Sequence, residues 1–243
     1  MHVISAKDVL VSVGNKPGVG FYLTPWFFPL QSMISFMTTD AFDDNRQLRL
    51  EIAAAAARLV AQDGADYGSA KRKAARQILG DAPGGAQVLP DNELIEEQLR
   101  LYNALFLADS QPARLFQLRT IALQVMEALQ QFHPLLSGPV LNGTAGPHDE
   151  IYLQLFAESA KDIHIFLLNK NVVLDMSETP HFKGPRYDAV ETASFLWKNE
   201  GVHAAMYELD DMRGALKPKA DGKLLRTDIA GLRTLLSLSQ AET

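Results

Sequence analysis

The sequence predicts an α+β protein, with an N-terminal helical region over residues 46–133 and a mixed α/β module over residues 134–243. Three observations carry this. Apolar residues recur at helical spacing through four successive segments as far as Phe132. After Pro134 the texture changes to short β-rich runs. Near the C-terminus two such runs are joined by a tight polar turn, which gives the second half antiparallel character.

The first predicted helix runs from Arg46 to Gln62, with Leu48, Ile52, Ala55, Ala56, Leu59 and Val60 on one side and Gly64 where a C-cap belongs. The second spans Tyr67 to Leu79 and stops at Gly80 and the Pro83-Gly84-Gly85 cluster. Asp91 or Asn92 caps the third, and Glu93, Glu96 and Glu97 suit the positive end of its dipole. Its apolar positions are Leu94, Ile95, Leu99, Tyr102, Leu105 and Phe106. Pro112 fits the first turn of the fourth, where its missing N–H is harmless. Leu115, Leu118, Ala122, Val125, Met126 and Leu129 make its stripe, and His133-Pro134 ends it.

In the second half, Val140-Leu141 and Ile151 to Ala157 read as strands. Ser159 caps a helix to Asn171 with Ile163, Phe166 and Leu167 inward, and Val172 to Met176 is another strand. Ala189 to Lys198 and Val202 to Leu209 form a hairpin about Asn199-Glu200-Gly201. Thr227 or Asp228 caps a last helix carrying Ile229, Leu232, Leu235 and Leu236.

Residues 1–45 read as a non-native or disordered extension. Val19 to Phe36 is apolar but broken by Pro25 and Pro29, which is too interrupted for a membrane span. It lacks the basic start and the cleavage site of a signal peptide. Met37 opens a polar, acidic stretch that leads straight into a helix, so native translation is expected to start there.

The bulk figures exclude several classes. Apolar residues make up 47% and charged residues 21%, an ordinary globular balance. A net charge of −6 gives no overall attraction for DNA. The absence of cysteine excludes disulfides and thiolate chemistry and fits a cytoplasmic, reducing setting. The six histidines show no metal-binding spacing, and there is no Gly-x-x-x-x-Gly-Lys phosphate loop.

The stretch most suggestive of chemistry runs from Gly138 to Phe156 and contains Gly143-Thr144-Ala145 followed by Glu150-Ile151-Tyr152. Preceded by a helix, it resembles the signature of the DNA-polymerase-β-like nucleotidyltransferases, over about Ala113 to Leu236. In that superfamily a Gly-Ser turn holds the triphosphate and a strand with Asp-x-Asp binds divalent metal. A third acid on a later strand activates the attacking hydroxyl, in two-metal phosphoryl transfer.

Further segments point to an uncharacterised bacterial family of nucleotidyltransferase-like proteins. These are Asp66-Tyr67 with Ala70 to Ala75, Leu89 to Glu93, Gln111 to Leu115, and Gly138 to Leu141. The resemblance implies nucleotide binding through Gly138, Asn142, Gly143 and Thr144, with Glu150 at the first acid position as catalytic residue and metal ligand.

The departures from the pattern are specific. Pro139 replaces the serine and has neither hydroxyl nor N–H to offer a phosphate. Tyr152 replaces the second acid, and a phenol is a poor Mg²⁺ ligand at neutral pH. The run Val202 to Met206, where the third acid belongs, has none. The expectation is therefore a degenerate module that binds a nucleotide, RNA or a protein partner, with no membrane association. The alternative is an active, Mg²⁺-dependent enzyme with a reduced acid set of Glu150 and Glu208, Asp210 or Asp211, acting on an RNA, protein or small-molecule acceptor. A second carboxylate within roughly 4–5 Å of Glu150 would make a shared metal feasible.

The basic cluster Lys71, Arg72, Lys73 and Arg76 is the remaining candidate, for phosphate or RNA contact. Its competing interpretation is a solvated helix face.

Overall fold

The computed structural model describes residues 30–80, 88–213, 215–217 and 222–241, with side chains described from Asp44 to Ser239 within those ranges. The chain divides into Met1–Phe42 and Asp43–Thr243. In the first unit the described part is backbone of helix α1 (Leu30–Asp63), which continues into the second. The helix expected from Arg46 thus starts at Leu30, immediately after Pro29, and no Gly or Pro interrupts it before Gly64. Residues 30–45 of the expected extension are accordingly helical, and residues 1–29 lie outside the described residues.

Helices α2 (Tyr67–Leu79) and α3 (Asn92–Phe106) follow. Each opens on an aspartate whose carboxylate accepts a backbone N–H of the first turn, Asp66 from Ser69 and Asp91 from Leu94. With α1 they enclose a core of Ile52, Ala53, Ala56 and Ala57, Ala70 and Ala74, Ile95 and Leu99. Alanines on both α1 and α2 let these helices meet with little side chain between them. Leu105 and Phe106, expected inward, are 75% and 67% exposed. The buried face of α3 instead runs Ile95, Leu99, Asn103 at four-residue steps, and ends on a polar side chain with a purpose described below.

Helix α4 (Gln111–Ala128) carries Pro112 in its first turn, as expected. A 3-10 turn at Gln130–Phe132 follows, with His133 left-handed at φ 46°. The apolar stripe of α4 sits in the second core, against the sheet, together with Leu129 and Phe132. In its core contacts α4 goes with the α/β half and not with the three preceding helices.

That half contains β1 (Leu135–Ser137), α5 (Pro139–Asn142), β2 (Ile151–Ala157), α6 (Ala160–Asn169), β3 (Asp175–Thr179), β4 (Val190–Trp197), β5 (Glu200–Glu208), β6 (Arg226–Thr227) and α7 (Ile229–Ala241). The sheet order is β3-β4-β5-β2-β1-β6. β2 and β5 are parallel, and every other neighbouring pair is antiparallel.

Several expected boundaries shift, each for a local reason. Val140-Leu141 is helical, because Gly138 at φ 74° turns the chain and Pro139 cannot donate to a ladder. The strand expected over Val172–Met176 starts at Asp175, after Asn171 at φ 55° ends the preceding helix. The hairpin turns at Lys198-Asn199, φ 49° and 67°, and closes on the pair Trp197–Glu200. Two positive φ values make the mirror-image turn that matches strand twist, so Glu200 and Gly201 belong to the strand. The short edge strand β6 was not expected.

One sheet face carries Leu136, Ile151, Leu153, Leu155, Ala193, Phe195, Val202, Ala204 and Met206, covered by α4, α6 and α7. Among the described residues the other face is covered at one end, where Phe156 and Tyr207 meet Phe182 and Ala215. The candidate site lies on the remainder of that face.

Asp91→Ala is expected to destabilise the protein by about 1 kcal/mol through loss of the α3 cap. Urea unfolding followed by circular dichroism measures it, and an unchanged midpoint would show that the cap contributes nothing.

Candidate functional site

Strand register alone places the open-face residues. Directly opposed residues share a face, and one row reads Asp175–Ser194–His203–Tyr152–Ser137–Arg226 across six strands. The next row on that face reads Ser177–Thr192–Ala205–Gln154–Leu135. Glu150 lies one residue before β2, with the same parity as Tyr152.

Four of these side chains are locked together. The Glu150 carboxylate pairs with His203 Nε2, and His203 Nδ1 is 2.8 Å from Ser194 Oγ. The Tyr152 ring stacks on His203, centroids 5.0 Å apart and planes 18° off parallel. Gly138 supports the tyrosine from behind, since a Cβ there would already sit 3.4 Å from its ring. Burial, and then the charges of Glu150 and Asp149, push the Tyr152 phenol above its ordinary value of 10.0. It is therefore a neutral hydrogen-bonding group across the physiological range, and not a phenolate ligand.

Gly201 takes part in a way that its position beside a hairpin concealed. A Cβ at Gly201 would overlap the Glu150 carboxylate, which lies across the β5 backbone at this point. Next to it, Glu200 receives a two-pronged ion pair from Arg114 on α4, at 2.5 and 2.7 Å, and a further bond from Gln117. Glu200 also raises the affinity of the Arg114 guanidinium for its proton.

The segment expected to hold a triphosphate is occupied with itself and with its neighbours. The amides of Leu141 and Asn142 bond to Gly138 O, and those of Gly143, Thr144 and Ala145 bond to Pro139 O. Its carbonyls take donors from α3 and α4. Asn103 Nδ2 bonds to Thr144 O, and Gln111 Nε2 reaches both Gly143 O and Ala145 O. Arg119 bonds to Val140 O and Leu141 O. Asn142 Oδ1 accepts from the amide and hydroxyl of Thr144, which is 1% exposed. The turn expected to contact a nucleotide at Asn142, Gly143 and Thr144 is a joint between the helices and the sheet. Gly138 instead backs Tyr152.

No second acid completes a metal site at Glu150. Asp149 turns back to accept the Gly146 N–H at 2.7 Å, and burial pushes its carboxyl above the ordinary value. Glu208 ends β5 opposite Ala157, roughly 23 Å along the strand from Gly201 at the usual rise per residue. Asp210 and Asp211 follow it, and Asp211 pairs with His181 and with Lys183 at 3.2 and 2.5 Å. These acids belong to the covered end of the sheet and cannot serve Glu150. Among the described residues no three His, Asp or Glu stand together in a metal-binding group. The side chains present do not fit the Mg²⁺ pair of the resemblance.

The basic cluster is dispersed in use. Lys71 bonds to Pro90 O and Asn92 Oδ1, both at 2.9 Å, and so ties α2 to the start of α3. Lys73 faces Asp63 at 3.4 Å. Arg72 and Arg76 are exposed on the same helix. The four do not converge on one contact point. His203 and Ser194 were missed in the sequence because neither has a local signature, and only the parallel register of β2 and β5 brings His203 beside Tyr152.

No protein-family model matches the chain, and no curated protein or solved structure is detectably similar to it.

Tyr152→Asp is expected to fold and stay soluble, since Tyr152 is 41% exposed. It should lose about 1 kcal/mol from the ring pair, with a further small loss from crowding Glu150. Thermal melts of the purified variant test this, and insoluble protein would show that the ring is a core element.

Proposed function

We propose that this chain is a nucleotidyltransferase-like module with replaced metal-binding acids, which binds a nucleotide-type ligand on the open sheet face without transferring it. One observation carries the reading. The two positions matched by resemblance to the metal-binding aspartates hold Glu150 and Tyr152, and His203, within the run where the third acid belongs, is paired with the one and stacked on the other. A two-metal mechanism needs clustered negative ligands to hold cations against the phosphates. Here one carboxylate is paired with an imidazole and its neighbour is a neutral phenol.

RNA is the weaker ligand class, because Lys71 is already engaged and the net charge is −6. We assign the protein to the cytoplasm. The lack of cysteine suits that compartment, and among the described residues no helix is long and apolar enough to cross a membrane.

Incubation with α-labelled NTPs and Mg²⁺ or Mn²⁺ is expected to transfer no label to the protein or to bulk RNA. The same nucleotides or their parts should raise the melting temperature by mass action. Label transfer abolished by Glu150→Ala and by chelator would overturn the reading in favour of an active enzyme.

The geometry also makes a constructive prediction. The double variant Tyr152→Asp, His203→Asp places two new carboxylates beside Glu150 on adjacent strands, at a separation of about 5 Å between strand neighbours. It is expected to bind Mn²⁺ detectably by electron paramagnetic resonance where the parent protein does not. Equal Mn²⁺ signals for the two proteins would remove the correspondence between these positions and a metal site.

A further inference from the structure

The open face holds a cleft in two parts that meet at His203. The larger, about 600 Å³, lies at the sheet edge where β5 begins and has an apolar lining that includes Val172, Val173, Leu174 and Leu196. The smaller, about 220 Å³, is a trough whose polar side chains are Tyr152, His203, Ser137, Ser177, Gln154 and the mutually bonded Thr179 and Thr192. Together they fall in the size range of small-molecule sites. Hydroxyls and an amide donate and accept without charge.

The carboxylates of this lining are Asp175 and Glu150, the latter paired with His203, and among the described residues neither part includes a lysine or an arginine. The basic groups on neighbouring elements include Lys170, Lys198 and Arg226, of which Arg226 ends the row that contains Ser137. Lys170 lies over the Phe166 ring at 5.5 Å. Arg226 lies over Phe182 at 4.1 Å with its Nε on Gln154. Lys198 sits in the hairpin turn, outside the lining. The amides of Leu141 to Ala145, which a phosphate would need, are bonded inward.

We infer that the group recognised in this cleft is an uncharged nucleoside, its base against the apolar walls and its sugar hydroxyls on the serine and threonine trough, with phosphate excluded. This rests on the nucleotide-type reading above and narrows it. A polyphosphate carries several negative charges to a site with two carboxylates and, among the described residues, no lysine or arginine in its lining, and each nearby pair of like charges is repulsive. The phosphate-free ligand escapes that repulsion and keeps the neutral hydrogen bonds.

Calorimetric titration of the full chain with the four ribonucleosides, their 5′-monophosphates and their triphosphates tests this, in EDTA and again with Mg²⁺. At least one nucleoside should bind, with its triphosphate weaker by about tenfold or more in both buffers. Ser177→Ala should weaken the nucleoside. Asp175→Asn, and Glu150→Gln with it, should narrow the gap, read in each variant as the ratio of nucleoside to triphosphate affinity. The single Asp175→Asn on the exposed edge strand suffices if the double variant folds poorly. A triphosphate binding as tightly as its nucleoside overturns the inference and leaves the nucleotide-binding reading standing. So does a gap unchanged in both variants. Binding of none of the twelve compounds overturns that reading and this inference with it.

Discussion

The arrangement depends first on how the chain from Gly138 to Ala145 is fastened. This segment turns sharply twice, at Gly138 and at Gly143, both with positive φ. A turn placed between two cores must satisfy its own polar backbone. Here the amides do so locally, and the carbonyls receive Arg119, Gln111, Asn103 and Arg100. The donors come from both α3 and α4, so the helical core and the sheet core are held through the same few atoms. Arg119 is 8% exposed, and its described partners are carbonyls and the Ser239 hydroxyl. Burial lowers its hold on the proton. Removing that side chain would leave two carbonyls unpaired, at a cost of roughly 1–3 kcal/mol for each buried group left unmade.

This fastening has a chemical consequence. A loop can present its amides to a phosphate only if they are not already bonded, and these are. What the joint offers the open face is Gly138, a surface without a side chain against which Tyr152 lies flat. Tyr152 in turn stacks on His203, and His203 links Glu150 to Ser194. The residues able to meet a ligand are thus set on strands, while the glycine-rich turn of the resemblance serves the interior. Sites built on strands hold their geometry more tightly than sites on loops.

The sequence was most legible where a single segment decides its own structure. Asp66 and Asp91 cap helices because the first-turn amides are three residues away, a purely local fact. The stripe of α4 follows from period alone. Reading failed where a distant partner decides. Val140-Leu141 looks extended by composition, and it is helical because of the glycine and proline before it. Leu105 and Phe106 fit the α3 period, but the core ends before them and Asn103 takes the last inward place to meet Thr144. Glu150 stood out as an acid near a motif, whereas its partner is 53 residues away on a parallel strand. A crossover pairing of that kind leaves no trace in spacing.

The position of Glu150 depends on a run of four residues at the start of β5. Glu200 is pinned to α4 by Arg114, which fixes where the strand begins. Gly201 leaves room for a carboxylate to cross the backbone, and no larger residue would. Val202 is buried in the sheet core, which settles which way its neighbours point. His203 then faces outward and meets the carboxylate that Gly201 admitted. Each step constrains the next, so a slip of one residue in the hairpin would turn His203 into the core and Val202 onto the open face. The two positive-φ residues at the turn, Lys198 and Asn199, guard against that slip by fixing a two-residue loop. The hairpin geometry therefore sets the chemistry of the face, although it lies outside the cleft.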